Sequence, residues 1–160
     1  MVAQELIAID VALLLPEAVH ARARLINEVL WKQRTDGFRF DQSHLPHITL
    51  VQQFVRRANL PALLQRIDSI VGATAALTLR VLAVGSHQST AFFLLQRTPD
   101  LQRLHATLMD AVKPWEESEG AVESFYSEGE PARDADVEWV KRYRTHASYD
   151  NFVPHITLGI

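Results

Sequence analysis

Two copies of one pentapeptide, Pro-His-Ile-Thr-Leu, constrain this chain more than any other feature, and they occupy positions 46–50 and 154–158. Neither copy lies in a low-complexity segment, so coincidence is a poor explanation. In a β-strand successive side chains point to opposite faces, so residues two apart share a face. Each copy is therefore predicted to bury its Ile and Leu and to present its His and Thr together, roughly 7 Å apart along the strand. Proline also disfavours a helix at the residue before it.

The polar residues of the two copies are His47 with Thr49 and His155 with Thr157. Two such strands side by side would place two imidazoles and two hydroxyls around one cavity. This set suits phosphoryl transfer, because one neutral imidazole can take a proton from water while the other, protonated, donates to the departing oxygen. The hydroxyls can donate hydrogen bonds to the phosphate oxygens. A single His-x-Thr is usually only the polar face of a strand. The prediction of a catalytic site therefore rests on the presence of two copies.

The hydrophobic pattern predicts the order strand, helix, strand, helix, two strands, helix, loop and strand. The strands are expected at 5–15, 47–55, 76–84, 91–96 and 155–160. The helices are expected at 16–34, 60–71 and 99–112, with a short one at about 135–144 that Asp134 caps. A turn is expected at 85–90 and a short extended piece at 38–41. Because strands and helices do not alternate regularly, an α+β fold with largely antiparallel sheets is favoured.

Composition narrows the functional class. The 160 residues fit one domain, and the formal net charge is −3. Proteins that wrap a long duplex usually carry a strong positive excess, so no long-duplex binding is expected. The absence of cysteine excludes disulfides and a cysteine nucleophile, and it suits a cytoplasmic location. The apolar run from Leu6 to Leu15 is too short to span a membrane and lacks a basic leader, so it is interpreted as a buried strand.

On these residues the chain resembles the 2H phosphoesterase superfamily, which includes the bacterial 2′-5′ RNA ligase-like proteins and the 2′,3′-cyclic phosphodiesterases. That family is marked by two His-x-Thr/Ser-x motifs, each opening a strand and separated by a long stretch of chain. Here the motifs lie at 47–50 and 155–158, so their histidines are 108 positions apart. The resemblance spans essentially the whole chain, including a Val84-Gly85 turn and an aromatic residue, Phe152, shortly before the second motif.

The resemblance implies a single domain, 1–160, of two lobes with pseudo-two-fold symmetry and an active site in the cleft between them. It implies cleavage of a cyclic phosphate or a 2′-5′ phosphodiester without a metal or other cofactor. His47 and His155 are then the catalytic pair, and Thr49 and Thr157 bind the phosphate.

Two further histidines, His44 and His146, lie near the motifs and raise the alternative of a metal site. A strand or loop does not place His44 and His47 on one side, as a helix would, and neither motif contains a carboxylate. No metal is therefore expected, and these two are interpreted as loop histidines at the rim of the cleft.

The most basic run lies shortly before the second motif and comprises Lys141, Arg142, Arg144 and His146. It is interpreted either as the solvated face of a helix or as a patch that steers a phosphate into the site. Tyr149 and Phe152 follow it. They could stack on a base, as aromatic residues do in single-strand recognition, or they could be core residues that support the last strand.

Residues 116–138 form an acidic stretch with nine Asp or Glu and a single Arg. A solvated loop is the simpler interpretation. A lid over the cleft is the alternative, and in that case Phe125 and Tyr126, rather than the carboxylates, would face an anionic ligand.

The predicted function is therefore metal-independent hydrolysis of a 2′,3′-cyclic phosphate, on a nucleotide or an RNA end, or of a 2′-5′ phosphodiester. The expected partner is that substrate, with no membrane, and the protein is expected to be a monomer. One alternative is a binding module that holds a nucleotide or phosphate without turning it over. A second is RNA ligation, which would use the same site in the reverse direction.

Overall fold

The computed structural model describes residues 5–33, 38–87, 90–126 and 131–159. Within them the strands are β1 (Leu6–Leu14), β2 (His47–Arg56), β3 (Val81–His87), β4 (Thr90–Leu95) and β5 (His155–Gly159). The helices are α1 (Glu17–Gln33), α2 (Leu60–Gly72), α3 (Pro99–Val112) and α4 (Asp134–His146). Short 3-10 turns lie at Arg57–Asn59, Lys113–Trp115, Val122–Ser124 and Tyr149–Asn151. The predicted α+β class is confirmed.

The strands form two sheets. β1 pairs with β2, and β3, β4 and β5 form an antiparallel sheet in that order. In the part of the chain that the structure describes, the two strands that carry the pentapeptide, β2 and β5, therefore lie in different sheets. They are not hydrogen-bonded neighbours, so the two histidines are not presented by adjacent strands of one sheet.

The chain divides into two compact units. The first takes the described residues of Met1–Val11, Leu50–Leu77 and Pro99–Phe152. The second takes those of Ala12–Thr49, Thr78–Thr98 and Val153–Ile160. The histidine and threonine of both pentapeptides belong to the second unit.

The core of the second unit contains one aliphatic residue of the first pentapeptide, Ile48, and both of the second, Ile156 and Leu158. Ile48 and Ile156 are each 2% exposed, and both belong to one buried cluster that also contains Leu158. The other buried members come from α1, β4 and the segment before β2, and they are Ala23, Leu95 and Phe40. Burying each large aliphatic side chain contributes about 1.5–3 kcal/mol, so the shared core holds the start of β2, at Ile48, in the same unit as β5.

A buried amide on α1 holds the segments on either side of this core. Asn27 is 1% exposed, and its Nδ2 donates to the carbonyl oxygens of Leu158 (3.0 Å) and Phe38 (3.1 Å). Its Oδ1 accepts from the N–H of Phe40 at 2.8 Å. One side chain thus satisfies three backbone groups, one in the second pentapeptide and two ahead of the first.

In the first unit a buried imidazole plays a similar part. His105 of α3 is 0% exposed. Its Nδ1–H donates to the carbonyl oxygen of Leu50 (2.8 Å), and its Nε2 accepts from the N–H of Tyr149 (2.9 Å). The ring stacks on Phe152 with centroids 3.9 Å apart and planes 2° apart. A neutral imidazole therefore links the last residue of the first pentapeptide to the segment that leads into the second.

The hairpin of β3 and β4 differs from the prediction. β3 begins at Val81, not at residue 76, and continues to His87, so Gly85 lies within the strand and not in a turn at 85–90. Gly85 faces Phe92 across the ladder, and a Cβ on it would lie 2.8 Å from two ring carbons of Phe92. The glycine is therefore needed to make room for the ring of Phe92. In the sequence, such a glycine looks the same as one that allows a turn.

The start of α4 also differs. The helix begins at Asp134, and the residue before it, Arg133, has extended backbone angles. The N–H of Arg133 donates to the carboxylate of Asp136 at 2.9 Å. The carboxylate that accepts a backbone N–H at this helix start therefore belongs to Asp136, and not to Asp134, the predicted cap. None of the described helices combines the length and the apolar run needed to cross a membrane.

Replacing Asn27 by leucine should destabilise the fold strongly. The change keeps the size of the side chain but removes the partner of two buried backbone groups, at Leu158 and Phe40, and of the partly buried carbonyl of Phe38. Each buried group left without a partner costs about 1–3 kcal/mol. Urea unfolding followed by circular dichroism should show a loss of about 3 kcal/mol or more. The same substitution at the exposed Asn151 is the control, and an equal loss in both variants would contradict the role given to Asn27.

Acid should weaken the fold in part through His105. Burial, together with the charge of Arg144, lowers the pKa of His105 below its ordinary value, although the hydrogen bond to Leu50 opposes this. Below about pH 6.5 the unfolded chain therefore binds a proton that the folded chain does not. As the pH is lowered through this range, the free energy of unfolding decreases. We expect His105→Phe to be less stable at about pH 7.5 but to lose less between that pH and about pH 5 than the wild type does. Equal acid sensitivity in both proteins would refute this.

Candidate active site

The two pentapeptides hold their histidines in the same way. Nδ1 of His47 lies 2.7 Å from the carbonyl oxygen of Leu45, and Nδ1 of His155 lies 2.9 Å from that of Val153. A carbonyl oxygen only accepts hydrogen bonds, so Nδ1 carries the hydrogen in both rings. Nε2 is then the nitrogen that takes up or releases a proton.

The intervening proline explains why both histidines bond to the carbonyl two residues upstream. Proline restricts the residue before it to extended geometry and has a fixed φ of its own. Pro46 and Pro154 are both buried, and burial then alternates along each strand. Ile48 and Ile156 are buried, whereas Thr49 and Thr157 are only partly buried. The predicted alternation is confirmed, with each threonine on the face of its histidine.

The surroundings of the two histidines differ. His47 is partly buried, whereas His155 is exposed. The ring of His155 also contacts Phe92 of β4, with centroids 5.8 Å apart and planes at 67°. Phe92 was not predicted as a site residue, because only the register of β4 and β5 brings it next to the second motif.

Chemically, this unit offers two imidazoles whose tautomer is set by the backbone, each with a hydroxyl two residues further along the same strand face. Such groups can exchange protons through Nε2 and can donate hydrogen bonds to an oxyanion. The matched hydrogen bonds of the two histidines arise from the same Pro-His pair in each pentapeptide.

Arg144, a predicted substrate contact, lies within an internal network. Its guanidinium forms an ion pair with Glu116 and donates to the carbonyl oxygen of Met109 at 3.1 Å and to the Tyr149 hydroxyl at 3.0 Å. That hydroxyl in turn donates to Asp110 at 2.6 Å. The charge of Arg144 is thus offset by Glu116, so its role as a substrate contact, like that of Tyr149, stays a prediction.

The remaining predicted contacts lie in three different settings. Phe152 is 2% exposed beneath His105, which fits the alternative of a core residue. His146 is exposed and ends α4, so it is a helical residue and not the loop histidine that we expected. His44 lies in a bend, where its Nδ1 is 3.0 Å from Asp41. The backbone N–H groups of His44 and Ser43 hold the pKa of Asp41 well below its usual range.

The acidic stretch is anchored at its start. Glu117 forms an ion pair with Arg56 at 2.8 Å, and its N–H donates to the carbonyl oxygen of Phe54. Phe125 packs edge-on against Phe54 with centroids 5.7 Å apart, whereas Tyr126 is 81% exposed. Residues 127–130 lie outside the described part of the chain, and the lid stays a prediction.

Over residues 5–33, 38–87, 90–126 and 131–159, no three or more side chains of His, Asp or Glu cluster in a way that could hold a metal ion. Metal independence stays a prediction that chelation can test.

A search of curated proteins found no match to this chain. A family model described as the 2′-5′ RNA ligase superfamily matches residues 16–160, which include both pentapeptides. The match covers most of the chain, and it agrees with the resemblance inferred from the two motifs. The chain therefore belongs to the 2′-5′ RNA ligase superfamily.

Proposed function

We propose that this protein hydrolyses a 2′,3′-cyclic phosphate, on a nucleotide or an RNA end, or a 2′-5′ phosphodiester, with His47 and His155 as its proton-transfer pair. The observation that supports this most strongly is the matched geometry of the two histidines, whose Nδ1–H groups both bind a carbonyl two residues upstream. The shared core of Ile48 and Ile156, in the unit that also holds both histidines, adds support.

The proposed reaction needs the two imidazoles in opposite protonation states. The neutral one takes a proton from water through Nε2 as the water oxygen attacks phosphorus. The bond from phosphorus to the 2′ or 3′ oxygen breaks, and the protonated imidazole gives its Nε2 proton to that oxygen. The product is a phosphate monoester with a free hydroxyl.

The surrounding groups supply electrostatic stabilisation. Thr49 and Thr157 donate hydrogen bonds to the non-bridging oxygens, where negative charge increases in the transition state. Each Nδ1–H bond to a backbone carbonyl fixes its ring and stabilises the imidazolium form, because the acceptor dipole points at the positive ring. No step requires a metal ion or an organic cofactor.

Removing either imidazole should therefore slow the reaction greatly. For His47→Ala and for His155→Ala we expect kcat on 2′,3′-cyclic nucleotides to fall about 10²–10⁴-fold, or roughly 3–5 kcal/mol of barrier. Thr49→Val and Thr157→Val should lower it less. His87→Ala, which removes an exposed histidine outside both motifs, is the matched control and should keep wild-type turnover.

The same assay separates the alternatives. The two-histidine mechanism would be refuted if folded His47→Ala or His155→Ala protein kept near wild-type turnover on every cyclic phosphate tested. Saturable binding of cyclic nucleotides by the wild type, with no product, would favour the binding module. Loss of activity on treatment with EDTA, restored by zinc, would favour a metal site.

The rate should also depend on pH on both sides of an optimum. One histidine must be neutral and the other protonated, so kcat/KM should follow a bell-shaped profile between about pH 5 and about pH 9. The two apparent limits describe the pair and not either residue alone. Stopped assays at constant ionic strength would measure the profile. A rate that rises with pH to a plateau and does not fall at higher pH would argue against a general acid.

A further inference from the structure

The sheet of β3, β4 and β5 places a third group beside the second motif. In its register Gly85 lies opposite Phe92, and Phe92 lies opposite Thr157. Residues directly opposite one another in an antiparallel ladder share a face. Phe92 therefore lies on the face of His155 and Thr157, whereas its neighbour Phe93 packs against the core on the other face.

The ring of Phe92 is held between β5 and β3. On one side it contacts the ring of His155 at 5.8 Å. On the other side it occupies the space above Gly85, where a Cβ would lie 2.8 Å from two ring carbons. Phe92 is only partly buried, and Ala83, the next residue along the same face of β3, is exposed. An aromatic surface bordered by small residues thus lies beside the motif and remains open to solvent.

We propose that Phe92, seated over Gly85, forms a stacking surface for the base of the substrate, so that the site selects a nucleoside cyclic phosphate over a cyclic phosphate that has no base. This inference rests on the proposed function of His155 and Thr157. A flat base next to the phosphate would lie over the ring of Phe92, one strand away from the threonine that binds the phosphate. Stacking on a ring tolerates every base, so discrimination among the four bases should be weak.

The test compares two substrates, a nucleoside 2′,3′-cyclic phosphate and glycerol 1,2-cyclic phosphate, which has no base. For Phe92→Leu we expect kcat/KM on the nucleotide to fall about ten- to a hundredfold, mainly through KM. The fall on glycerol cyclic phosphate should be at least about tenfold smaller. Phe92→Trp, which keeps an aromatic surface, should retain the nucleotide preference.

Gly85→Ala provides an independent variant that leaves the phenylalanine in place. The φ of Gly85 lies outside the left-handed region, so its backbone accepts alanine, but the new Cβ must push the ring of Phe92 aside. We expect Gly85→Ala also to lose nucleotide preference, but by a smaller factor than Phe92→Leu. Phe93→Leu is the matched control, since it changes the neighbouring ring on the core face, and it should leave the ratio of the two kcat/KM values unchanged.

Binding gives a readout that does not depend on turnover. Calorimetric titration should show that Phe92→Leu weakens binding of a nucleoside 2′-monophosphate about ten- to a hundredfold, with a much smaller effect on inorganic phosphate.

Different outcomes separate this inference from the proposed function. Equal losses on both substrates in Phe92→Leu would mean that the ring only orients His155, and a wild type without preference for the nucleotide would refute a base site. In either case the two-histidine mechanism would stand. A wild type that binds the nucleotide through Phe92 but hydrolyses neither substrate would keep the base site and refute the proposed reaction.

Discussion

The buried amide of Asn27 is the contact on which the second unit depends most. It satisfies backbone groups at Phe38, Phe40 and Leu158, so one helix fixes the approach to the first pentapeptide and the end of the second. Without Asn27, two buried backbone groups and one partly buried group would lack this partner, and each buried one would cost about 1–3 kcal/mol. That sum is comparable to the net stability of a whole domain, which is about 5–15 kcal/mol. The aliphatic core can therefore form around Ile48 and Ile156 only because these polar groups are paired within it.

Much of the candidate site could be predicted from the sequence, because its geometry is local. Strand alternation alone determines that His47 and Thr49 share a face and that Ile48 points to the core, and the same holds for the second copy. The proline before each histidine is visible in the sequence as well. The helices were predicted closely for a related reason, since α2 and α3 show regular apolar spacing and begin near a proline.

The remaining features depend on contacts between residues far apart in the chain. Nothing near His105 in the sequence indicates that Leu50 and Tyr149 satisfy its two nitrogens. Sequence alone predicts a turn at Gly85, because a glycine that leaves room for a ring and a glycine that allows a turn cannot be told apart in sequence. Phe92 is likewise hidden in the sequence, since it lies 63 positions before His155 and only the register of β4 and β5 brings the two rings together.

The equivalent bonds from Nδ1 to backbone carbonyls have a consequence for the direction of the proposed reaction. Both histidines exchange protons through the same ring nitrogen, so the base that has taken a proton from water becomes an acid of the same kind as its partner was. After one turnover of the proposed reaction, His47 and His155 would have swapped protonation states. An enzyme in that swapped state is prepared for the reverse reaction until solvent resets it. In the proposed reaction the same two ring nitrogens would therefore serve both directions, cleavage by water and re-formation of the phosphorus–oxygen bond with release of water.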